Sequence, residues 1–156
     1  MITQPDKGSD VQVFDMAREW APGQQGNKGN VWGRIQGDEI VINGQCSAWV
    51  SNGAVAQVAL GYISAEYDGS FFEKDGRPHG MSVIIPLDFP GVSKGKPLDK
   101  LGQRALPQGE IYFDNVKIPR RFAVAQQEDY YGNVASAWSF AGTHMGQVFT
   151  GVARAA

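Results

Sequence analysis

The apolar residues of this chain fall into short runs for most of its length and adopt a helical spacing only near its end. Residues 11–20 alternate, with Val11, Val13, Asp15 and Ala17 on one side and Phe14, Met16 and Arg18 on the other, which predicts a strand. A loop rich in Gly, Gln and Asn follows over 22–30, and Val31-Trp32 opens a short strand before Gly37-Asp38 turns into the next one. Glu39-Ile40-Val41-Ile42 is β-branched and ends at Asn43-Gly44, so 39–53 is predicted to be strand, tight turn, strand, closed by a second Asn-Gly pair at 52–53. Residues 55–67 start almost continuously apolar, as in a strand covered on both faces. A polar loop over 68–80 precedes a buried strand over 81–86 that ends in proline. Pro90-Gly91 predicts a turn, and 110–113 a late strand with its own turn at Asp114-Asn115. Beyond Asp129 the pattern changes: Trp138, Met145, Val148, Phe149 and Val152 recur at helical spacing without proline, predicting a helix that starts between Asp129 and Ala137. Many short strands between turn residues predict an all-β class, a barrel-like or two-sheet antiparallel β-domain, followed by the start of a C-terminal helix.

Composition narrows the chemistry. With 156 residues, 42% hydrophobic and 19% charged, the chain is long enough for one domain with a real core. A net charge of −2 gives no electrostatic reason for a nucleic-acid partner. The single cysteine, Cys46, excludes an internal disulfide and a cysteine zinc cage and is compatible with a reducing compartment. No apolar run is long enough to span a bilayer, and the N-terminal residues, with their charges and glycines, do not read as a signal peptide. The two histidines, His79 and His144, have no metal-ligand spacing, and no nucleophile elbow, dinucleotide fingerprint or phosphate-binding P-loop occurs. Lys94, Lys96, Lys100 and Arg120-Arg121 read as a solvated face, with phosphate contact as the functional alternative.

Two stretches carry candidate chemistry. Residues 2–10, Ile-Thr-Gln-Pro-Asp-Lys-Gly-Ser-Asp, form a turn-rich segment whose backbone N–H groups and Ser9 hydroxyl can cradle an anion. Residues 43–53, Asn-Gly-Gln-Cys-Ser-Ala-Trp-Val-Ser-Asn-Gly, set an indole and a hydroxyl side by side. With Leu101-Gly102-Gln103-Arg104, Asp88-Phe89-Pro90-Gly91-Val92 and 113–119, Phe-Asp-Asn-Val-Lys-Ile-Pro, these stretches stand in one order. In that order they resemble the central β-domain of the acyl-CoA dehydrogenase family, whose motifs are Thr-Glu-Pro-x-x-Gly-Ser-Asp, Asn-Gly-x-Lys-x-Trp-Ile-Thr-Asn, Pro-Gly and Leu-Gly-x-Arg.

The resemblance implies an FAD-binding and acyl-CoA-binding middle domain at 1–127 and, at 128–156, the first helix of a truncated C-terminal helical domain. It implies that Thr3 bonds the pyrimidine side of the flavin, that Gly8 and Ser9 meet the pyrophosphate, and that Trp49, Val50 and Ser51 meet the ring, with Ser51 at N5. The implied reaction is α,β-dehydrogenation of an acyl-CoA thioester with hydride passing to flavin N5. Its carboxylate base would lie on the C-terminal bundle, so no catalytic residue and no metal ligand is assigned here. The implied partners are the acyl-CoA substrate, an electron-transfer flavoprotein or other electron acceptor, and further copies in a homo-oligomer, tetramer or dimer. The implied compartment is the bacterial cytoplasm or the mitochondrial matrix, with no membrane and no nucleic acid. The alternatives are a flavin-dependent acyl-CoA oxidase or monooxygenase of the same fold, a relative that has lost its flavin, and a non-catalytic all-β interaction module.

Three departures qualify the likeness. Gln4 stands where the family has Glu, and Cys46 where it has Lys. The stretch from Asn43 to Trp49 holds one residue more than the family pattern, which predicts a bulge at Ser47-Ala48 that keeps Trp49 and Ser51 in register.

Overall fold

The computed structural model describes Pro5, residues 28–74 and residues 76–155. The predicted strand over 11–20, most of the loop over 22–30, and Thr3, Gly8 and Ser9 lie outside the described residues. Seven strands are described: β1 (Val31–Gln36), β2 (Glu39–Gln45), β3 (Val58–Glu66), β4 (Gly80–Pro86), β5 (Val92–Lys94), β6 (Ile111–Pro119) and β7 (Ala123–Gln126). A 28-residue helix, α1 (Glu128–Ala155), follows them. The strands make one continuous sheet in the order β5-β6-β2-β1-β3-β4-β7, antiparallel at every pairing except β1 with β3. The architecture is therefore mainly β with a terminal helix, as the apolar pattern predicts.

The period-2 pattern places one set of side chains inward. Ile40 and Ile42 of β2, Ile63 and Ala65 of β3, Met81, Val83 and Ile85 of β4, and Ile111, Phe113, Val116 and Ile118 of β6 belong to a single buried cluster. One cluster shared by strands from across the sheet means that the sheet curls around its own core.

Of the two turns predicted here, the one at Gly37-Asp38 is present and the one at Asn43-Gly44 is not. Gly37-Asp38 joins β1 to β2, and Asn43 and Gly44 remain inside β2, opposite Trp32 and Val31. Against β6 the register shifts between Ile42 and Gly44, and Asp114-Asn115 lies in the shift. The two predicted turns thus face each other across one ladder as a β-bulge, with Asn115 at φ 50° and Gly44 at φ 117°. The Asn43 side chain closes it, its Oδ1 accepting from the Asn115 N–H at 2.9 Å. A Cβ at Gly44 would lie 1.8 Å from the Asn30 carbonyl oxygen, so glycine serves close strand approach there and not chain reversal. Asn, Asp and Gly mark positive φ, and a bulge needs positive φ as much as a turn does.

Two further expectations are corrected. The predicted second strand of this unit is absent: after one more ladder bond at Cys46, residues 47–50 turn out at Ala48-Trp49, so the bulge expected at Ser47-Ala48 sits instead at 43–44 and 114–115. In β3 the buried half is the second one; Val58 and Leu60 are exposed, whereas Gly61, Ile63, Ser64 and Ala65 are buried.

α1 sits on the outer face of β4 and β7 by its first two turns only, where Tyr130 and Val134 are its buried residues. Tyr130 lies over Gly80, Asn133 accepts a hydrogen bond from the Ser82 hydroxyl at 2.7 Å, and the Tyr131 hydroxyl donates to the Pro78 carbonyl. The remaining turns leave Phe140, Met145, Val148, Phe149 and Val152 exposed.

Cys46 is buried in the core, and burial pushes its thiol from 9.0 up to about 12. The native state keeps the proton that the unfolded chain loses. This contribution to stability is whole below pH 9.0 and drains away as the pH rises toward about 12, by about 1.4 kcal/mol per pH unit. Urea denaturation between about pH 8 and about pH 10.5 is expected to show this slope in the wild type and a shallower one in Cys46→Ala. Equal slopes would show that the thiol is not buried.

Candidate functional site

The loop between β2 and β3 carries the residues of interest, and the core determines how it presents them. The Cys46 N–H donates to the Ile111 carbonyl at 2.9 Å, extending the β2–β6 ladder by one bond before the chain turns out. Buried Ser47 then accepts the Trp49 N–H on its Oγ at 3.3 Å. Val50 is buried against the core, while Trp49 on one side of it is 59% exposed and Ser51 on the other is exposed. The structure therefore brings Trp49 and Ser51 together on the outside of one loop. Val50, grouped with them as a cofactor contact, has its side chain in the core and offers a ligand only its backbone.

A second loop, between β5 and β6, holds the first in place. Ser51 forms an isolated antiparallel bridge with Gln108, the Asn52 N–H donates to the Pro107 carbonyl at 2.7 Å, and the Gly109 N–H donates to the Val50 carbonyl at 3.3 Å. The Gln108 side chain donates to the Trp49 carbonyl at 3.1 Å and accepts from Lys100 at 2.9 Å. Sequence reading missed Gln108 because a glutamine in a polar loop carries no periodic signal. Lys94 is exposed, as its reading as part of a solvated face implies, and donates to the Ala56 carbonyl at 2.5 Å, whereas Lys100 is half-buried and donates to the Leu106 carbonyl at 2.8 Å. The Leu101-Gly102-Gln103-Arg104 motif occupies this same loop, with Leu101 fully exposed and Arg104 paired to Asp99.

A concavity of about 460 Å³ lies elsewhere, between the 68–79 loop and the start of α1. Asp68, Glu73 and Glu128 line it against the single guanidinium of Arg77, which pairs with Glu73 at 3.8 Å, so carboxylates outnumber cations there and disfavour a phosphate group. His79 beside it directs Nδ1 to the Ser70 carbonyl at 3.1 Å, and His144 on α1 directs Nδ1 to the Phe140 carbonyl at 2.9 Å. Among the described residues no group of three His, Cys, Asp or Glu could hold a metal ion, and no helix is long and apolar enough to cross a membrane.

The Trp49–Ser51 loop suits a flat aromatic ligand with an acceptor at its edge. It offers an indole face held by a buried neighbour and, two residues on, a hydroxyl with no hydrogen-bond partner among the described residues.

Residues 1–116 match the acyl-CoA dehydrogenase middle domain. Over 130 residues the chain is 35% identical to a glutaryl-CoA dehydrogenase of Desulfococcus multivorans, covering 82% of this chain and 27% of that protein. The solved structure of a glutaryl-CoA dehydrogenase in complex with glutaryl-CoA superposes with a TM-score of 0.60 at 30% identity, over 85% of this chain and 28% of that one. A Mycobacterium smegmatis glutaryl-CoA dehydrogenase in complex with FADH2 shares the fold, with a TM-score of 0.56 at 22% identity over 83% and 27% of the two chains. The chain thus spans about a quarter of the length of these relatives.

Proposed function

The chain belongs to the acyl-CoA dehydrogenase family, whose middle domain it carries, and from that premise we propose that it is the FAD- and thioester-binding part of an enzyme that dehydrogenates an acyl-CoA. The observation that carries the reading is the outward pair Trp49 and Ser51 on either side of buried Val50. The flavin, when bound, supplies a two-electron acceptor for hydride. With the flavin bound, Trp49 would cover one ring face and Ser51 would offer its hydroxyl proton to N5. Thr3 would bond the pyrimidine edge, and Gly8 with Ser9 would offer donors to the pyrophosphate. The family membership and the glutaryl-CoA complex of the similar structure support acyl-CoA as the substrate class. The electron acceptor is an electron-transfer flavoprotein or a molecule that replaces it. No carboxylate of this chain is assigned as the base that removes the α-proton.

The domain division belongs to the same proposal, with the β-domain over 1–127 and a helix of a second domain over 128–156. From Tyr130 to Ala153 the helix has no Asp, Glu, Lys or Arg. Val134, Trp138, Ala141, Met145, Val148 and Val152 follow one helical face. A helix so poor in charge is built for burial, and further helices of the longer enzyme, or another copy in its homo-oligomer, cover this face. The longer enzyme works in the bacterial cytoplasm or the mitochondrial matrix.

The test is made on the longer protein. It is expected to purify yellow and to lose that colour when an acyl-CoA is added without oxygen; a colourless protein that takes up no FAD would overturn the reading. Slow reoxidation in air is the expected dehydrogenase behaviour, and fast reoxidation marks the oxidase alternative. The 156-residue chain alone is expected to bind FAD weakly in equilibrium dialysis and to leave acyl-CoA unoxidised. Dehydrogenation by this chain alone would show that the base lies within it.

A further inference from the structure

We propose that Gln108 is the positioning residue of the Trp49–Ser51 loop and that Lys100 holds Gln108 in the required orientation; this rests on the flavin reading above. The carboxamide bridges two groups of opposite demand. Its Nε2 donates to the Trp49 carbonyl at 3.1 Å, and its Oε1 accepts from the Lys100 ammonium at 2.9 Å. An ammonium only donates and a carbonyl only accepts, so turning the amide over would set donor against donor and acceptor against acceptor. Lys100 therefore decides which way the amide faces, and it is itself held by the Leu106 carbonyl at 2.8 Å. The Gln108 backbone is secured as well, by its bridge to Ser51 and by the Leu98 N–H, which donates to its carbonyl at 2.8 Å.

The bond falls where the loop needs it. The Trp49 carbonyl belongs to the peptide plane between the residue that bears the indole and the residue that anchors the loop. Val50 holds one side of that plane from the core, and Gln108 holds the other from outside. With both in place the indole and the Ser51 hydroxyl keep one relative orientation. With Gln108 lost, the plane can rotate about its Val50 anchor and carry both groups with it. Chained hydrogen bonds polarise one another, so the Lys100 charge strengthens the grip of Gln108 on the Trp49 carbonyl. Glutamate at this position would keep the lysine pair but set a carboxylate against a carbonyl, and methionine would fill the space with no bond.

The experiment compares Gln108→Glu, Gln108→Met, Lys100→Met and Lys100→Arg. In the 156-residue chain, hydrogen exchange at the Asn52 and Gly53 amides is expected to speed up about tenfold in both Gln108 variants. In the longer flavin-loaded protein the same variants are expected to shift the flavin spectrum and reduction potential in the direction of Ser51→Ala, with FAD retained. Lys100→Met is expected to act likewise but less, and Lys100→Arg, which still donates to Oε1, to restore wild-type values. An unmoved spectrum and potential in a flavin-loaded Gln108→Glu would overturn the proposal. A wild-type protein that holds no flavin would instead overturn the flavin reading, so the two failures are distinguishable.

Discussion

Gly80→Ala is expected to loosen α1 from the sheet and to destabilise the chain by on the order of 3 kcal/mol, at the upper end for overpacking of a core. A Cβ at residue 80 would lie 2.0 Å from Cε1 of Tyr130 and 2.3 Å from its Cζ, overlapping one edge of the ring. The ring has little room to yield. Tyr130 is fully buried, with Tyr62 and Val134 in the same cluster. Tyr130 and Val134 are the only buried residues among the described part of α1, so displacing the ring removes half of the helix's anchor. Urea denaturation should show the loss, and amide exchange should show it concentrated in α1 and in β4. Gly80→Ala combined with Tyr130→Leu should recover part of the stability relative to the sum of the single changes, because the smaller side chain vacates the clash. A Gly80→Ala chain within about 0.5 kcal/mol of wild type would place Tyr130 elsewhere.

Ser51→Ala and Ser9→Ala are expected to affect different properties of the flavin in the longer protein. If the Ser51 hydroxyl donates to N5, its removal withdraws stabilisation where electron density gathers in the reduced ring. A buried bond of this kind is worth on the order of 1–3 kcal/mol. The reduction potential should fall and the reductive half-reaction slow, with FAD retained. Ser9→Ala should weaken FAD affinity through the pyrophosphate and leave the potential of bound flavin near wild type. Trp49→Phe is the control: it should perturb the flavin spectrum without reproducing either serine change. A Ser51→Ala protein with wild-type potential and wild-type reduction rate would assign N5 to another group.

The β-branched and apolar runs at 39–42, 81–86 and 110–113, bounded by turn residues and proline, were enough to read strands, because strand propensity and chain breakers act over a few positions. The helical spacing after Asp129 was equally plain, and α1 begins at Glu128. The pairing of Trp49 with Ser51 in one short stretch was legible too, and so was the family likeness carried by the motifs in order. What those residues face was not. Asn43-Gly44 and Asp114-Asn115 announce positive φ, but only the β2–β6 register turns the two into one bulge. The same register leaves residues 47–50 outside the ladder, with Val50 inside and its neighbours out. Gln108 and Lys100 lie 59 and 51 residues from Trp49 along the chain, and their hold on the loop exists only once β5 and β6 have brought the second loop alongside the first. The sequence by itself determined β1, β2, β3, β4 and β6, the helix and the identity of the outward pair, because residue patterning and chemistry act over a few positions. Tertiary structure alone decided the bulge, the seat of α1 on Gly80 and the clamp on the Trp49 carbonyl, because each depends on contacts between segments far apart in the chain.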